Sequence, residues 1–89
     1  MATNKIKISG KVQGVYFRAS AKQKAINLGV KGFVRNESDG SVLLEVEGDQ
    51  DAVNSMMNWC KKGPGLARVT NYEISEEVAK NYVSFDIKK

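Results

Sequence analysis

Residues 10–18 read Gly10-Lys11-Val12-Gln13-Gly14-Val15-Tyr16-Phe17-Arg18, and they join a strand-like segment to a helix-like one. Residues 5–9 alternate polar and apolar, which predicts a half-buried strand, and residues 19–28 have helical spacing. A glycine-bearing loop that enters a helix presents backbone N–H groups without partners, and the helix dipole favours an anion beside them. Arg18 is a cation at the unfavourable end of that dipole. The sequence therefore predicts a phosphate site made of loop amides and one guanidinium.

The composition is that of a small globular protein with a mild positive charge. The chain has 89 residues, which we expect to form one domain over 1–89, and a net charge of +4. We expect a cytoplasmic protein without a membrane partner, because no apolar run reaches the length of a membrane span or a signal peptide. Cys60 is the only cysteine and histidine is absent, which excludes an internal disulfide and argues against a transition-metal site.

Two helices are predicted from apolar residues at helical spacing. The first covers residues 19–28 and stops at Gly29 in the left-handed conformation. Its expected buried face comprises Phe17, Ala21, Ala25 and Leu28. The second begins after Asp49, a good N-cap residue, and ends at residues 63–65, which read Gly-Pro-Gly. Its expected apolar stripe comprises Val53, Met56, Met57 and Cys60.

A β-hairpin is predicted from strands over residues 30–37 and 41–47. A two-residue Asp-Gly turn between them would put Val34 on the same face as Glu45, which conflicts with the alternation. A three-residue loop, made of a type I turn and a left-handed Gly40, removes the conflict. Val34 and Asn36 then share the core-facing side with Val42, Leu44 and Val46. A polar amide at that place needs a reason, which could be a role in the function or a cap of the strand end before the hairpin.

The remaining strands complete a recognisable order. A fourth strand is expected over residues 67–75 and a last one over 82–88, with Val83, Phe85 and Ile87 pointing inward. The order β-α-β-β-α-β plus one strand predicts an α+β, ferredoxin-like sandwich. We expect an antiparallel sheet, two helices on one face and an extra C-terminal strand. Many functions use this fold, so the site must carry the functional argument.

Two motifs resemble those of a known family. Residues 10–18 are similar to the first signature of the acylphosphatases. Residues 32–36, which read Gly-Phe-Val-Arg-Asn, resemble the second signature, with Gly40, Val42 and Gly48 following at the expected intervals. Trp59-Cys60, Gly63-Pro64 and Ala67 are also similar to family members. The resemblance covers most of the chain, and two motifs in the right order on the right elements make it specific.

The resemblance implies an enzyme that hydrolyses the carboxyl–phosphate bond of acyl phosphates, and a site that also takes inorganic phosphate or a similar anion. Arg18 would bind the phosphoryl oxygens together with loop amides, and Asn36 would orient the attacking water. The amides are those of Gly14, Val15, Tyr16, Phe17 and Arg18. The resemblance also implies no metal, no cofactor and no covalent phosphoenzyme, with the proton of the water passing to the phosphate of the substrate.

The residue types suit that chemistry. An acyl phosphate has a good leaving group, so in-line attack on phosphorus needs mainly positioning and charge stabilisation. Amide donors and a planar guanidinium match the equatorial oxygens. Asn36 can hold a water but is no base near neutral pH, which is compatible with the absence of histidine. The next residue is often threonine in animal members and is Glu37 here, and an acidic group near a phosphate site could reduce activity or shift its pH dependence.

Two other classes of function are compatible with parts of the sequence. An RNA-binding RRM shares the element order, and residues 31–34 resemble its aromatic strand motif, but the first strand offers Ile6 and Ile8 where a stacking ring is needed. A regulatory anion-sensing domain would keep the phosphate site and lose turnover, yet both Arg18 and Asn36 are present. We therefore expect a monomer that acts on a small acyl phosphate, and no nucleic-acid partner.

Overall fold

A five-stranded sheet with two helices forms the structure, a computed structural model that describes residues 3–88. The elements in chain order are β1 (Thr3–Lys11), α1 (Phe17–Leu28), β2 (Lys31–Asn36), β3 (Val42–Glu47), α2 (Gln50–Lys62), β4 (Arg68–Glu77) and β5 (Phe85–Lys88). The strands lie in the order β4-β1-β3-β2-β5. This arrangement confirms the predicted α+β, ferredoxin-like sandwich, with both helices packed on the sheet.

The core lies between the helices and one face of the sheet. Alternate residues of each central strand point into it, as Ile6 and Ile8 of β1 do. The predicted faces of α1 and α2 cover them with Phe17, Ala21, Ala25, Val53, Met56 and Cys60, all buried. Leu28 and Met57, predicted on the same faces, are partly buried at the margin of this core. Helical and strand periodicity is therefore sufficient to predict most of the side chains that form this core.

The hairpin between β2 and β3 has the predicted register. Val34 is opposite Leu44 and Asn36 is opposite Val42. The Glu37 N–H donates to Ser41 O at 2.8 Å, so residues 38–40 form a three-residue loop. Gly40 has a φ of +90°, the left-handed conformation that the prediction required. The register places Asn36 on the helix-facing side of the sheet, at the end of its strand.

The first strand is longer than predicted. β1 continues through Gly10 and Lys11, residues expected in the loop, and pairs with β4 across a register shift after Ser9. Gly10 has a φ of +123°, and a Cβ there would lie 2.2 Å from the Arg68 carbonyl oxygen. Gly10 therefore permits the close approach of β4. Helix α1 also begins earlier than expected, at Phe17.

The largest difference between the structure and the prediction concerns the last strand. It covers only Phe85–Lys88, and it pairs with β2 in parallel, so the sheet is mixed instead of wholly antiparallel. Phe85 is buried, but Val83 precedes the strand with 88% of its surface exposed, and Ile87 is 41% exposed. The cause is topological, because the chain leaves β4 at one edge of the sheet and must reach β2 at the other. A returning strand that opposes β4 necessarily runs parallel to β2.

Residues 78–84, the crossing segment, bridge the two edges over the sheet face opposite the helices. Two nearly buried carboxylates of β3 hold them there. Glu47 accepts the backbone N–H groups of Lys80 at 2.6 Å and Tyr82 at 2.9 Å. Glu45 accepts the Lys80 ammonium at 2.7 Å and the Tyr82 hydroxyl at 2.6 Å. Burial opposes ionisation, but these hydrogen bonds, together with one that Glu47 accepts from the Thr3 hydroxyl, outweigh it and lower the pKa of both glutamates.

We expect these carboxylates to make stability depend on pH. Because the pKa of Glu47 is lower in the folded chain than in the unfolded one, its contribution is present above the ordinary glutamate pKa and disappears as the pH falls through the folded value. The urea midpoint of Glu47→Gln should therefore lie well below that of wild type near neutral pH, and the gap should narrow in acid. Glu76→Gln, at an exposed position of β4, should match wild type throughout. A gap independent of pH would contradict this account.

Candidate active site

A pocket of about 410 Å³ lies at the start of α1. Three parts of the chain meet there: the loop that follows β1 together with the first turn of α1, the end of β2, and β5. The lining residues are Val12, Gly14, Tyr16, Phe17, Arg18, Ala19, Asn36 and Ile87. The structure therefore brings Arg18 and Asn36, which the sequence singled out separately, into one pocket.

The loop backbone has alternating handedness. Gly14 has a φ of +75° and Tyr16 a φ of +64°, whereas Val15 between them is not left-handed. Backbone that alternates between right-handed and left-handed conformations can turn successive N–H groups toward one side, the arrangement of many anion-binding loops. Tyr16 is a non-glycine residue in this conformation, a strain on the order of 1 kcal/mol that is commonly found at functional sites. Buried Val15 and Phe17 anchor the loop from the core side.

The helix start leaves amides without acceptors. The first helical hydrogen bond runs from the Ser20 N–H to Tyr16 O at 3.0 Å. Within residues 3–88, the amides of Phe17, Arg18 and Ala19 precede it and have no backbone acceptor. The first turn of α1 also has no acidic residue. The positive end of the helix dipole is therefore not neutralised by the protein, which favours a bound anion.

Arg18 adds a full positive charge to that end of the helix. Its side chain is half-buried and lines the pocket. In the described part of the chain, no carboxylate lies within ion-pair distance of its guanidinium. A planar guanidinium beside unpaired amides is suited to an oxyanion such as phosphate.

Asn36 approaches the pocket from the neighbouring strand. It is half-buried at the end of β2, opposite Val42. Across residues 3–88, its side-chain amide has no hydrogen-bond partner in the protein. Both its oxygen and its nitrogen are therefore available to a water molecule or a ligand in the pocket.

Glu37 is separated from this pocket. Successive residues of a strand face opposite sides of the sheet, so the Glu37 side chain lies in a groove on the other face. There it accepts a hydrogen bond from Arg35 Nε at 3.2 Å. The negative charge that replaces the common threonine is thus paired and directed away from the candidate phosphate site.

Two residues near the site were not predicted from the sequence. Ile87 was expected in the core, but it lines the pocket because β5 pairs with β2. Gln13 donates from Nε2 to two carbonyl oxygens of the hairpin. The motif contains Gln13, yet no local pattern indicates what its side chain touches.

Other chemical groups contribute nothing to this pocket. Cys60 is buried in the core, and burial raises the pKa of its thiol to about 12, so it is neutral near pH 7. Residues 3–88 contain no group of three or more histidine, cysteine, aspartate or glutamate side chains placed to hold a metal ion.

Neither of the two described helices is long and apolar enough to span a bilayer.

Comparison with known proteins identifies the family. The acylphosphatase family model matches residues 4–87. An acylphosphatase from Methylococcus capsulatus is 51% identical over 69 residues, which cover 78% of this chain and 75% of the relative. One from Thermotoga petrophila is 44% identical over 88 residues, which cover 99% of this chain and 98% of the relative. The crystal structure of acylphosphatase from Bacillus subtilis superposes with a TM-score of 0.95 and 30% identity, and each chain is covered completely. The chain therefore belongs to the acylphosphatase family of hydrolases, which act on acid anhydrides.

Proposed function

We propose that the chain hydrolyses the carboxyl–phosphate anhydride bond of acyl phosphates in this pocket, to give a carboxylate and inorganic phosphate. The phosphoryl group lies in the concavity of the loop amides of residues 14–18 and is held by Arg18. Asn36 orients the attacking water. The proposal is supported by one pocket that brings together amides of the helix start, the Arg18 guanidinium and the Asn36 carboxamide, for none of which residues 3–88 provide a partner.

The reaction is a direct displacement at phosphorus. The water oxygen forms a bond to phosphorus while the bond from phosphorus to the acyl oxygen breaks, and the electron pair leaves with the carboxylate. The proton of the water passes to a phosphate oxygen. Because a carboxylate with a pKa near about 4 is a good leaving group, no general acid has to protonate it. No enzyme nucleophile is required, so no covalent intermediate forms.

The protein contributes position and charge. Arg18 and the amides stabilise the negative charge that spreads over the equatorial oxygens, in an arrangement set before the substrate arrives. The Asn36 side chain accepts a hydrogen bond from the water through Oδ1, which fixes the water on the side opposite the leaving group. All of these contacts are to the phosphate end, so we expect several acyl phosphates to be substrates.

The decisive experiment is hydrolysis of benzoyl phosphate by the purified chain with a metal chelator present. We expect turnover that follows saturation kinetics and competitive inhibition by inorganic phosphate, because product and substrate share the same anion site. p-Nitrophenyl phosphate, a monoester with a poorer leaving group, should be hydrolysed at least about a hundredfold more slowly, since no residue of the pocket acts as a general acid. An inactive wild-type protein would overturn the proposed function.

We also infer that the chain works as a monomer in the cytoplasm on a small-molecule substrate. Arg18 and Asn36, the two side chains given roles in the reaction, line the same pocket of one chain, so the proposed mechanism needs no residue from a second copy. The buried, unpaired thiol of Cys60 suits a reducing compartment.

A further inference from the structure

Gln13 connects the two halves of the candidate site. It lies between β1 and α1, directly before Gly14, the first residue of the loop that forms the anion site. Its Nε2 donates to the carbonyl oxygens of Glu37 and Ser41, each at 2.8 Å. A carboxamide nitrogen has two protons, and this geometry uses both.

The two acceptors define the end of the hairpin that carries Asn36. Glu37 follows Asn36 in the chain, and its N–H donates to Ser41 O at 2.8 Å. Because Gln13 donates hydrogen bonds to both carbonyl oxygens, it fixes the position of the Glu37–Ser41 pair, the last pair of the hairpin, relative to the loop. Among the hydrogen bonds of the described chain, no others join residues 12–16 to residues 36–41.

Gln13 does not contact the reacting groups in this geometry. The pocket lining includes its neighbours Val12 and Gly14 but not Gln13 itself. Both protons of its amide are donated to carbonyl oxygens of the hairpin, so neither is available to a bound phosphate. Its influence on the reaction must therefore act through the distance between the loop and Asn36.

We propose that Gln13 is a positioning residue, which sets the separation between the phosphate held by the loop and the water held by Asn36. This inference rests on the proposed roles of Arg18 and Asn36. In-line attack requires the reacting atoms about 3–3.5 Å apart, and a misplacement of about 1 Å lowers the rate about a hundredfold. Loss of the two hydrogen bonds from Gln13 would leave the anion-binding loop and the hairpin each intact. The distance between them would then no longer be fixed.

The substitution that isolates this role is Gln13→Met. Methionine has a similar length and fills similar space, but it donates no hydrogen bond. Gln23→Met is the matched control, because Gln23 Nε2 also donates a hydrogen bond, to Asn27 Oδ1 at 3.1 Å, on the exposed side of α1. We expect kcat for benzoyl phosphate to fall about 10- to 100-fold in Gln13→Met and to stay at the wild-type value in Gln23→Met.

Inhibition by inorganic phosphate separates positioning from a merely structural role. The inhibition constant of Gln13→Met should stay within about threefold of wild type, because the loop amides and Arg18 are retained. Loss of phosphate binding equal to the loss of kcat would show that Gln13 maintains the loop itself, and would overturn the proposal. An unchanged kcat would overturn it as well.

Gln13→Glu provides an independent test through pH. An ionised carboxyl offers no donor and opposes the two carbonyl oxygens, whereas a protonated carboxyl regains one O–H donor. The kcat of this variant, divided by that of wild type, should therefore rise as the pH falls through the glutamate range. A ratio independent of pH would contradict the proposal. A wild-type protein without turnover would overturn the proposed function as well, whereas an active wild type with a fully active Gln13→Met would overturn only this inference.

Discussion

Replacing Arg18 with alanine should lower kcat/KM for benzoyl phosphate by about a thousandfold or more, the effect expected when a guanidinium that stabilises a phosphoryl transition state is removed. The side chain lines the pocket beside unpaired amides of the first helical turn. Within residues 3–88, no carboxylate pairs with it. Its charge is therefore free for the substrate, and inorganic phosphate should also inhibit the variant far more weakly. Steady-state kinetics with and without phosphate measure both effects.

Two further variants sharpen the result for Arg18. Arg18→Lys keeps the charge but loses the planar fork, so its activity should lie between those of wild type and Arg18→Ala. Arg68→Ala removes an exposed arginine of β4 that is not part of the pocket lining, and it should behave as wild type. Near-normal activity of Arg18→Ala would show that the phosphate is held elsewhere.

Asn36→Ala should remove most of the turnover and leave the binding of inorganic phosphate nearly unchanged. Asn36 lines the pocket from the end of β2, whereas Arg18 comes from the first turn of α1. In the proposed mechanism the Asn36 carboxamide holds the water and is not part of the anion site. Loss of the oriented water should lower kcat by about a hundredfold or more, because the nucleophile then has no fixed position. Comparison of kcat with the inhibition constant of phosphate tests this division of roles.

Two further variants test the role of Asn36. One introduces a negative charge at this position, and the other removes a side-chain amide far from the pocket. Asn36→Asp keeps the shape but brings a negative charge toward the phosphate, so it should weaken phosphate binding as well as turnover. Asn54→Ala removes an exposed asparagine of α2 that pairs with Gln50, and should leave kcat unchanged. If Asn36→Ala loses phosphate binding as strongly as turnover, Asn36 has a structural role instead.

The position of Asn36 illustrates how much structural information local sequence patterns carry. Alternation along two strands, together with the conformational demand of Gly40, was enough to choose the three-residue loop. That choice alone placed Asn36 on the helix-facing side, where the structure has it. The position of Arg18 in the first helical turn followed from the change of period after the loop.

The largest errors of the sequence-based prediction concern the last strand. Its alternation correctly placed Phe85 in the core, but the same pattern wrongly assigned Val83 and Ile87 to it. Alternation specifies which residues share a face, and it carries no information about which strand lies alongside or whether a face is covered. β5 lies at the edge of the sheet, so its ends are exposed and Ile87 became a wall of the pocket.

The sequence by itself determined the order of the elements, most of the buried faces of the helices and the register of the hairpin, because each depends on periodicity or on one turn. The loop and hairpin patterns drew attention to Arg18 and Asn36, and the resemblance to the acylphosphatase signatures supplied the roles proposed for them. Only the tertiary structure decided the parallel edge strand, the buried carboxylates Glu45 and Glu47 beneath the crossing segment, and the link from Gln13 to the hairpin. These features join residues distant in the chain, often through a side chain and a backbone group. Such a bond depends on the three-dimensional path of two segments, and no periodic pattern of residue types encodes it.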